Sequence, residues 1–371
     1  TCPTAGTILY VDATAASGGN GSSWTCAFQS LQDAINAAAS GYEIWVKAGT
    51  YKPTQDPFGN TSPADPRDKT FYLKNDVAVY GGFAGTETLR SQRNWTNNPT
   101  TLSGDIGTAN DNSDNCHHVI LSVSDASTTK LDGFTVTKGN GNGTSGITVE
   151  TKSISRFQGG GMYNHTTSVT VTNCIFDLST GTACGGMFNI STTGITVTNC
   201  VFSSNTSTSS GSASGAVYNS ASSVTTFTNC TFLSNSGNTS GGMYNFSSSS
   251  PVVTNCTFFG NSSIGSGGAM TNLTGCNAVV TNCLFFGNYG VNGALHNGSC
   301  SPILTNCTIS GNRTDNLSGS GGINNSSATP TLKNCIIWNN RVGTTTGSAA
   351  ANMVNTSSTP TISYSLIQNH N

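Results

Sequence analysis

Hydrophobic and polar residues alternate in short runs along most of the chain. In Val169-Thr-Val-Thr172 and Ile195-Thr-Val-Thr198 every second side chain is apolar, as in a β-strand with one buried face. After residue 157 such runs recur at steps of 24 to 30 residues, each marked by the dipeptide Asn-Cys. A unit of that size cannot bury its own apolar face, so the pattern predicts a solenoid of stacked repeats.

Alternation assigns three inward columns of side chains, each with one member per repeat. The first column is Val171, Val197, Phe227, Val253, Val280, Leu304 and Leu332. The second is Phe176, Phe202, Phe232, Phe258, Phe285, Ile309, Ile337 and Ile367, and the third is Met162, Met187, Val217, Met243, Met270, Leu295, Ile323 and Met353. Each coil then holds about three short strands, and like residues stack at the inter-strand distance of ~4.8 Å. The predicted fold is all-β, a parallel β-helix.

Asparagine and cysteine mark one corner of each coil. The step from inward Val171 to inward Cys174 is three residues, and Asn173 tolerates the left-handed backbone that such a corner needs. The predicted structural ladder is Asn173, Asn199, Asn229, Asn255, Asn282, Asn306 and Asn334, with Cys174, Cys200, Cys230, Cys256, Cys283, Cys307 and Cys335. Stacked amides hydrogen-bond from coil to coil, and the columns Asn164 to Asn355 and Asn205 to Asn340 receive the same interpretation.

The first 156 residues hold most of the charge and are less regular. Residues 31–39 are amphipathic and predict a helix that caps the first coil, where a sheet edge would otherwise lie open. We therefore divide the chain into a cap with irregular coils, 1–156, and regular coils, 157–371, continuous with it.

Composition bears on the location and the partners of the protein. Net charge is -2 and only 8% of residues are charged, which favours neither nucleic-acid binding nor insertion into a membrane. A chain that starts at Thr1-Cys2 is consistent with a secreted product whose signal peptide has been removed. The expected location is extracellular or the cell surface.

The cysteines divide into two groups. The ladder cysteines are interpreted as small buried hydrophobes, because stacking at ~4.8 Å exceeds the Cβ separation of ~3.8 Å that a disulfide prefers. Cys2 with Cys26, and Cys276 with Cys300, are instead candidate disulfides, one in the cap and one between adjacent coils.

The residues that open the chain resemble a known family. The helix and the stretch Ile44-Trp-Val-Lys-Ala-Gly-Thr-Tyr51 resemble the start of pectate-lyase-like right-handed β-helix proteins. The tetrapeptides Phe202 to Asn205 and Phe232 to Asn235 are similar to motifs of bacterial polymorphic outer-membrane and adhesin-type β-helix proteins. The resemblance implies a right-handed solenoid on the cell surface or in the medium, and names no activity.

Two candidate sites stand out. Asp105, Asp111 and Asp114 lie in a loop rich in Gly and Asn, where oxygen ligands suit calcium. The alternatives are a solvated turn and, for Asp105 with Asp111, a catalytic pair. Tyr163, Phe188, Tyr218 and Tyr244 follow the inward third column and are expected to point outward as a stacked aromatic surface for glycans. The alternative is that a loop covers them. No other cofactor is expected.

The charge distribution bears on function. Between Phe157 and Asn312 the only formal charge is Asp177, so paired carboxylates for glycoside hydrolysis cannot be built there. The sequence predicts a protein without enzymatic activity, an adhesive or structural component that binds glycans or itself, with head-to-tail filaments as one form. The alternatives are a polysaccharide lyase or hydrolase with its site in the first 150 residues, and a glycan-binding module.

Overall fold

The computed structural model describes residues 2–369, which wind into a β-helix whose coils stack strand on strand. Four sheets run along it, parallel except for the last strand pair of sheet 4, and a regular coil passes through sheet 3, sheet 1, sheet 2 and sheet 4 in turn. Sheet 1 comprises Ile8–Val11, Glu43–Lys47, Ala78–Phe83, Lys130–Asp132, Thr170–Thr172, Ile195–Thr198, Thr225–Thr228, Val252–Thr254, Val279–Thr281, Ile303–Thr305, Thr331–Lys333 and Thr361–Ser363. Sheet 2 comprises Gly49–Tyr51, Thr100–Ser103, Thr135–Thr137, Ile175–Asp177, Val201–Ser203, Thr231–Leu233, Thr257–Phe259, Leu284–Phe286, Thr308–Ser310, Ile336–Trp338 and Leu366–Ile367.

Sheets 3 and 4 complete each coil. Sheet 3 comprises Phe71–Tyr72, Ile120–Val123, Met162–His165, Met187–Ile190, Val217–Ser220, Met243–Asn245, Met270–Leu273, Leu295–Gly298, Ile323–Ser326 and Met353–Thr356. Sheet 4 is built from two-residue strands, Asn140–Gly141, Thr180–Gly181, Thr206–Ser207, Ser236–Gly237, Ser262–Ser263, Tyr289–Gly290, Arg313–Thr314, Arg341–Val342 and Thr345–Thr346. The predicted three strands per coil are confirmed as sheets 1 to 3. Strands of two residues are too short to show an alternating pattern, which is why sheet 4 was not predicted.

Other elements are few. An antiparallel hairpin, Gly146–Val149 with Lys152–Ser155, projects from the irregular coils. The helices are Leu31–Ala37 and Ala349–Asn352, and the 3-10 segments are Trp24–Cys26, Pro66–Asp68 and Arg90–Gln92. The predicted amino-terminal helix is confirmed, and Ser30 caps it by accepting a hydrogen bond from the Asp33 N–H. Across residues 2–369 no helix has the length and apolarity to cross a membrane.

The three predicted columns form one continuous core. Their members are buried from Val171 and Met162 onward, and successive rings of the Phe176 column stack almost parallel at 4.4 to 5.1 Å. Like-on-like stacking follows from the in-register pairing of consecutive coils, for example Phe176 with Phe202. Sheets 1, 2 and 3 run through the irregular and the regular coils alike.

The asparagine ladders fix the corners. Asn173 and its equivalents adopt φ between 52° and 55°, the left-handed conformation that asparagine tolerates. In the two inner ladders each side-chain amide bonds to the next coil, as from Asn189 Nδ2 to Asn219 Oδ1 at 2.8 Å. The ladder cysteines are buried free thiols, and Cys200 Sγ approaches the carbonyl of Val171 in the preceding coil.

Candidate active site

The outward side of sheet 3 is covered, contrary to expectation. Tyr163, Phe188, Tyr218 and Tyr244 do stack, with ring centroids 4.6 to 5.2 Å apart, but each is at most 6% exposed. The hairpin packs Val149 and Ile154 into the same apolar cluster, and the Tyr244 hydroxyl reaches Ser212 at 3.5 Å. The prediction of an exposed aromatic binding surface is therefore wrong. These rings form a second, smaller core.

The hairpin carries a carboxylate at its tip. Val149 pairs with Lys152, so Glu150 and Thr151 form a two-residue loop. Both have positive φ, 45° and 66°, as a type I′ turn requires. Because Ile154 anchors the hairpin in the second core, the tip is held in one place. The exposed Glu150 side chain accepts a hydrogen bond of 2.6 Å from the Tyr72 hydroxyl.

A second carboxyl comes from the turn that follows a sheet 3 strand. Ser124 has φ 58° and directs the chain out of the strand. Asp125 comes next and is only 5% exposed. Its Oδ2 accepts a hydrogen bond of 2.6 Å from the Ser122 hydroxyl, which also contacts Thr167 Oγ1 at 2.9 Å. The carboxyl is thus oriented by polar neighbours in an otherwise buried position.

Asp125 and Glu150 line one pocket of about 350 Å³. Its remaining walls are Ile35, Asn36, Tyr72, Leu73, Lys74 and Asn75. The Lys74 ammonium donates to the carbonyls of Asn36 and Ala38, which holds it against the cap helix. The pocket therefore lies where the cap, the first strands of sheet 3 and the hairpin meet.

The two carboxyls differ in environment. Burial, reinforced by the nearby charge of Glu150, raises the pKa of Asp125 to about 7. Burial and the hydrogen bond to Glu150 also raise the pKa of Tyr72. Near neutral pH Asp125 retains a proton in a large fraction of molecules. A protonated carboxyl beside an exposed carboxylate is the arrangement that general acid–base chemistry uses.

The acidic loop does not assemble as a calcium site in this conformation. Asp105 Oδ2 accepts a hydrogen bond from the Lys138 ammonium at 2.8 Å, and Lys52 lies 3.7 Å from Oδ1. Asp111 bonds to Ser113 within its own turn, and Asp114 accepts from the Thr108 N–H. The lysines supply the positive charge that a metal ion would bring, so these residues do not fit calcium as they stand.

A different group of three possible metal ligands was not predicted from the sequence. Among residues 2–369, the side chains of Asp65, Asp68 and His117 are the group of three whose ligand atoms lie within 4.8 Å of one another. Arg156 already binds both oxygens of Asp68, at 2.7 and 2.6 Å, and His117 Nε2 lies 3.1 Å from Asp65. This is an ion-pair network that fastens two loops.

One of the two expected disulfides is present. Cys2 and Cys26 are bonded, as predicted. Cys276 and Cys300 are free and buried, so the second predicted bridge is wrong. The Cys300 thiol instead points to the carbonyl of Asn272, 3.5 Å away.

Comparison with known proteins identifies the family. Residues 105–258 and 142–301 match the profile of the right handed beta helix region family, together more than half of the chain. The chain belongs to this family, and its predicted handedness is confirmed. No curated protein matches the sequence.

Solved structures agree with the fold. A pectate lyase, Pel9A, superimposes with a TM-score of 0.57 at 16% identity, covering 98% of this chain and 78% of that one. The A-module of Azotobacter vinelandii mannuronan C-5 epimerase gives 0.45 at 16% identity, over 89% of this chain and 82% of that one. Polygalacturonase from Erwinia carotovora ssp. carotovora gives 0.37 at 13% identity, over 98% and 97%. At such identities the fold alone is shared.

The match to Pel9A corrects one prediction. The absence of enzymatic activity was expected from the nearly uncharged regular coils, but the structure that superimposes on 98% of this chain with a TM-score of 0.57 is a pectate lyase. That expectation is contradicted. That expectation rested on the charge of the regular coils, whereas the pocket residues Asp125, Glu150 and Tyr72 all lie in the irregular coils.

A sequence signal for this pocket did exist. Gly146-Ile-Thr-Val149 and Lys152-Ser-Ile-Ser155 alternate around two residues, which indicates a hairpin with Glu150 at its tip. Asp125 follows an apolar strand, Ile120–Val123, after one residue. Nothing in the sequence, however, placed these residues beside Tyr72.

Proposed function

We propose that the protein is a secreted polysaccharide-active enzyme that hydrolyses glycosidic bonds, with Asp125 as general acid and Glu150 as the second carboxylate. The observation that carries this proposal is the convergence of the two carboxyls, from separate elements, on one pocket. Glycoside hydrolysis uses such a pair across the scissile bond.

Each residue has a defined part in the proposed reaction. Protonated Asp125 gives its proton to the leaving glycosidic oxygen as the bond from that oxygen to the anomeric carbon breaks. A water molecule forms the new bond to that carbon and gives its proton to the Glu150 carboxylate. Tyr72 orients Glu150 by donating a hydrogen bond of 2.6 Å to its carboxylate. The fold supports a polysaccharide as substrate, since the pectate lyase of similar structure acts on one by its name.

Cleavage of a polysaccharide panel tests the proposal. Release of reducing ends from neutral and anionic polymers is measured for the native protein, Asp125→Asn and Glu150→Gln. General acid–base groups contribute roughly 10²- to 10⁴-fold, so each substitution is expected to lower the rate at least a hundredfold. Asp177→Asn, a half-exposed carboxylate on sheet 2, is the matched control and is expected to keep full activity.

The pH profile gives an independent check. Activity is expected to decline as pH rises through about 7, where Asp125 loses its proton. Activity retained by Asp125→Asn contradicts the assignment, and unsaturated, ultraviolet-absorbing products show elimination in place of hydrolysis.

A further inference from the structure

An exposed aromatic column lies on sheet 2, far from the pocket described above. Phe259, Phe286 and Trp338 are 42 to 44% exposed. Register pairing places Phe259 beside Phe286, and Phe286 and Trp338 on either side of Ser310. The rings of Phe259 and Phe286 are parallel within 5°, with centroids 5.7 Å apart. Unlike the rings on sheet 3, these remain uncovered.

Two arginines lie at the next corner of the same coils. Arg313 and Arg341 are direct register partners in sheet 4, and the Arg313 guanidinium lies 5.0 Å from the centre of the Tyr289 ring. Among the ion pairs of residues 2–369, neither arginine has a carboxylate within 4.0 Å. The Arg341 Nε atom is buried and has no hydrogen-bond partner. Two cations are thus available to an anion.

A cavity lies at the corner between the aromatic column and the arginines. It has a volume of about 330 Å³ and is lined by Gly311, Asn312, Arg313, Asn339, Arg341 and Thr346. Gly311 has φ +64°, and a Cβ at that position would lie 2.8 Å from the Phe286 ring, so the ring borders the cavity wall. The hairpin of Arg341–Val342 and Thr345–Thr346 closes the far side.

We propose that this surface, Phe286, Trp338, Arg313 and Arg341 with the cavity between them, binds an anionic polysaccharide of the polyuronate class. A guanidinium fork matches a carboxylate in shape and charge, and aromatic faces accept the apolar side of a sugar ring. Charge complementarity favours this occupant, because the regular coils otherwise carry only Asp177, Asp315 and Lys333.

The surface is separate from the proposed active site. Leu295 begins the sheet 3 strand of the coil that contains Arg313, and Ile120 begins the sheet 3 strand that precedes Asp125. These two strands are six coils apart, which is roughly 30 Å at the inter-strand spacing of a sheet. A long polymer held here would be retained on the enzyme between cleavage events. Binding at this surface does not depend on Asp125.

Affinity for polygalacturonate tests the inference. Calorimetric titration uses the Asp125→Asn protein so that cleavage does not interfere, and compares polygalacturonate with its fully methyl-esterified form, which has the same backbone without charge. Charge-assisted hydrogen bonds justify an expected loss of about tenfold on esterification, and again on combining Arg313→Gln with Arg341→Gln. Trp338→Ala is expected to weaken binding of the charged polymer severalfold.

Lys333→Gln is the matched control, because Lys333 is an exposed cation of the same coil on sheet 1. It is expected to leave affinity within twofold. The inference is overturned by equal binding of the two polymers, by no binding, or by arginine variants that behave like Lys333→Gln. Circular dichroism would reveal whether Arg341→Gln unfolds the coil. In that case the affinities of Arg313→Gln, at an exposed arginine, and of Trp338→Ala decide whether the surface binds the polymer.

Discussion

Burial sets the protonation of Asp125. In the unfolded chain an aspartate ionises near its ordinary pKa of 3.8, whereas in the native protein burial raises the pKa of Asp125 to about 7. Between these values the unfolded state releases a proton that the folded state retains. The native protein therefore loses stability as pH rises from about 4 to about 7. The buried Asp125 carboxyl therefore reduces stability at neutral pH.

Asp125→Asn removes that penalty. The amide can still accept the hydrogen bond from Ser122, so the variant is expected to match the native protein at pH 4. At pH 8 it should be more stable by roughly 2–4 kcal/mol, because the native pKa of about 7 lies far above the ordinary value of 3.8. Denaturant unfolding at both pH values measures the difference, with Asp177→Asn as control. An identical difference at pH 4 and pH 8 contradicts the raised pKa.

Among the elements, the inner asparagine ladder carries hydrogen bonds that no water can replace. Asn235 is fully buried. Its Nδ2 donates to the Phe202 carbonyl at 2.8 Å and to Asn261 Oδ1 at 2.9 Å, and its Oδ1 accepts from the backbone and side chain of Asn205. One substitution thus leaves groups in two neighbouring coils unpaired. The corner ladder is exposed by comparison, and Asn229 bonds to Asn199 at 3.2 Å.

Two substitutions compare the buried inner ladder with the exposed corner ladder: Asn235→Ala and Asn229→Gly. Because unpaired buried polar groups are costly, Asn235→Ala is expected to lower the free energy of unfolding by roughly 2–5 kcal/mol. Asn229→Gly keeps the left-handed backbone at φ 54° and should cost less than about 1 kcal/mol. Urea unfolding monitored by circular dichroism compares them. An equal loss of unfolding free energy in both variants would contradict the view that burial of the Asn235 amide makes the inner ladder the more important one for stability.

Periodicity explains which elements were predictable. The columns of Val171, Phe176 and Asn173 repeat at one spacing, so each coil confirms the register of the next. The pocket has no such repetition, since Tyr72, Asp125 and Glu150 come from three different irregular segments. For the same reason the sequence could not decide between an exposed and a covered Tyr163. Burial of this side chain depends on a hairpin inserted once, at residues 146–155, and not on the local pattern around the tyrosine.

For the whole molecule, stability accumulates from coil to coil and the ends need protection. The helix Leu31–Ala37 packs against the first strands, and the Cys2–Cys26 disulfide closes the segment before it. Eleven further cysteines remain as thiols, which is unusual for the proposed secreted location. Burial accounts for their persistence, because it raises the pKa of thiols such as Cys116 and Cys300 to about 12 and keeps them from reagents.

Thiol titration checks this arrangement across the molecule. In the native protein almost no thiol is expected to react with a thiol reagent, since every free cysteine is buried. Denaturation without reductant should expose eleven thiols, and reduction should raise the number to thirteen. Nine thiols after denaturation would instead indicate a second bridge, for which Cys276 and Cys300 are the candidates. The Cys2→Ser, Cys26→Ser variant is the control: it should show eleven thiols with or without reductant, and lose about 3 kcal/mol of stability through the opened loop.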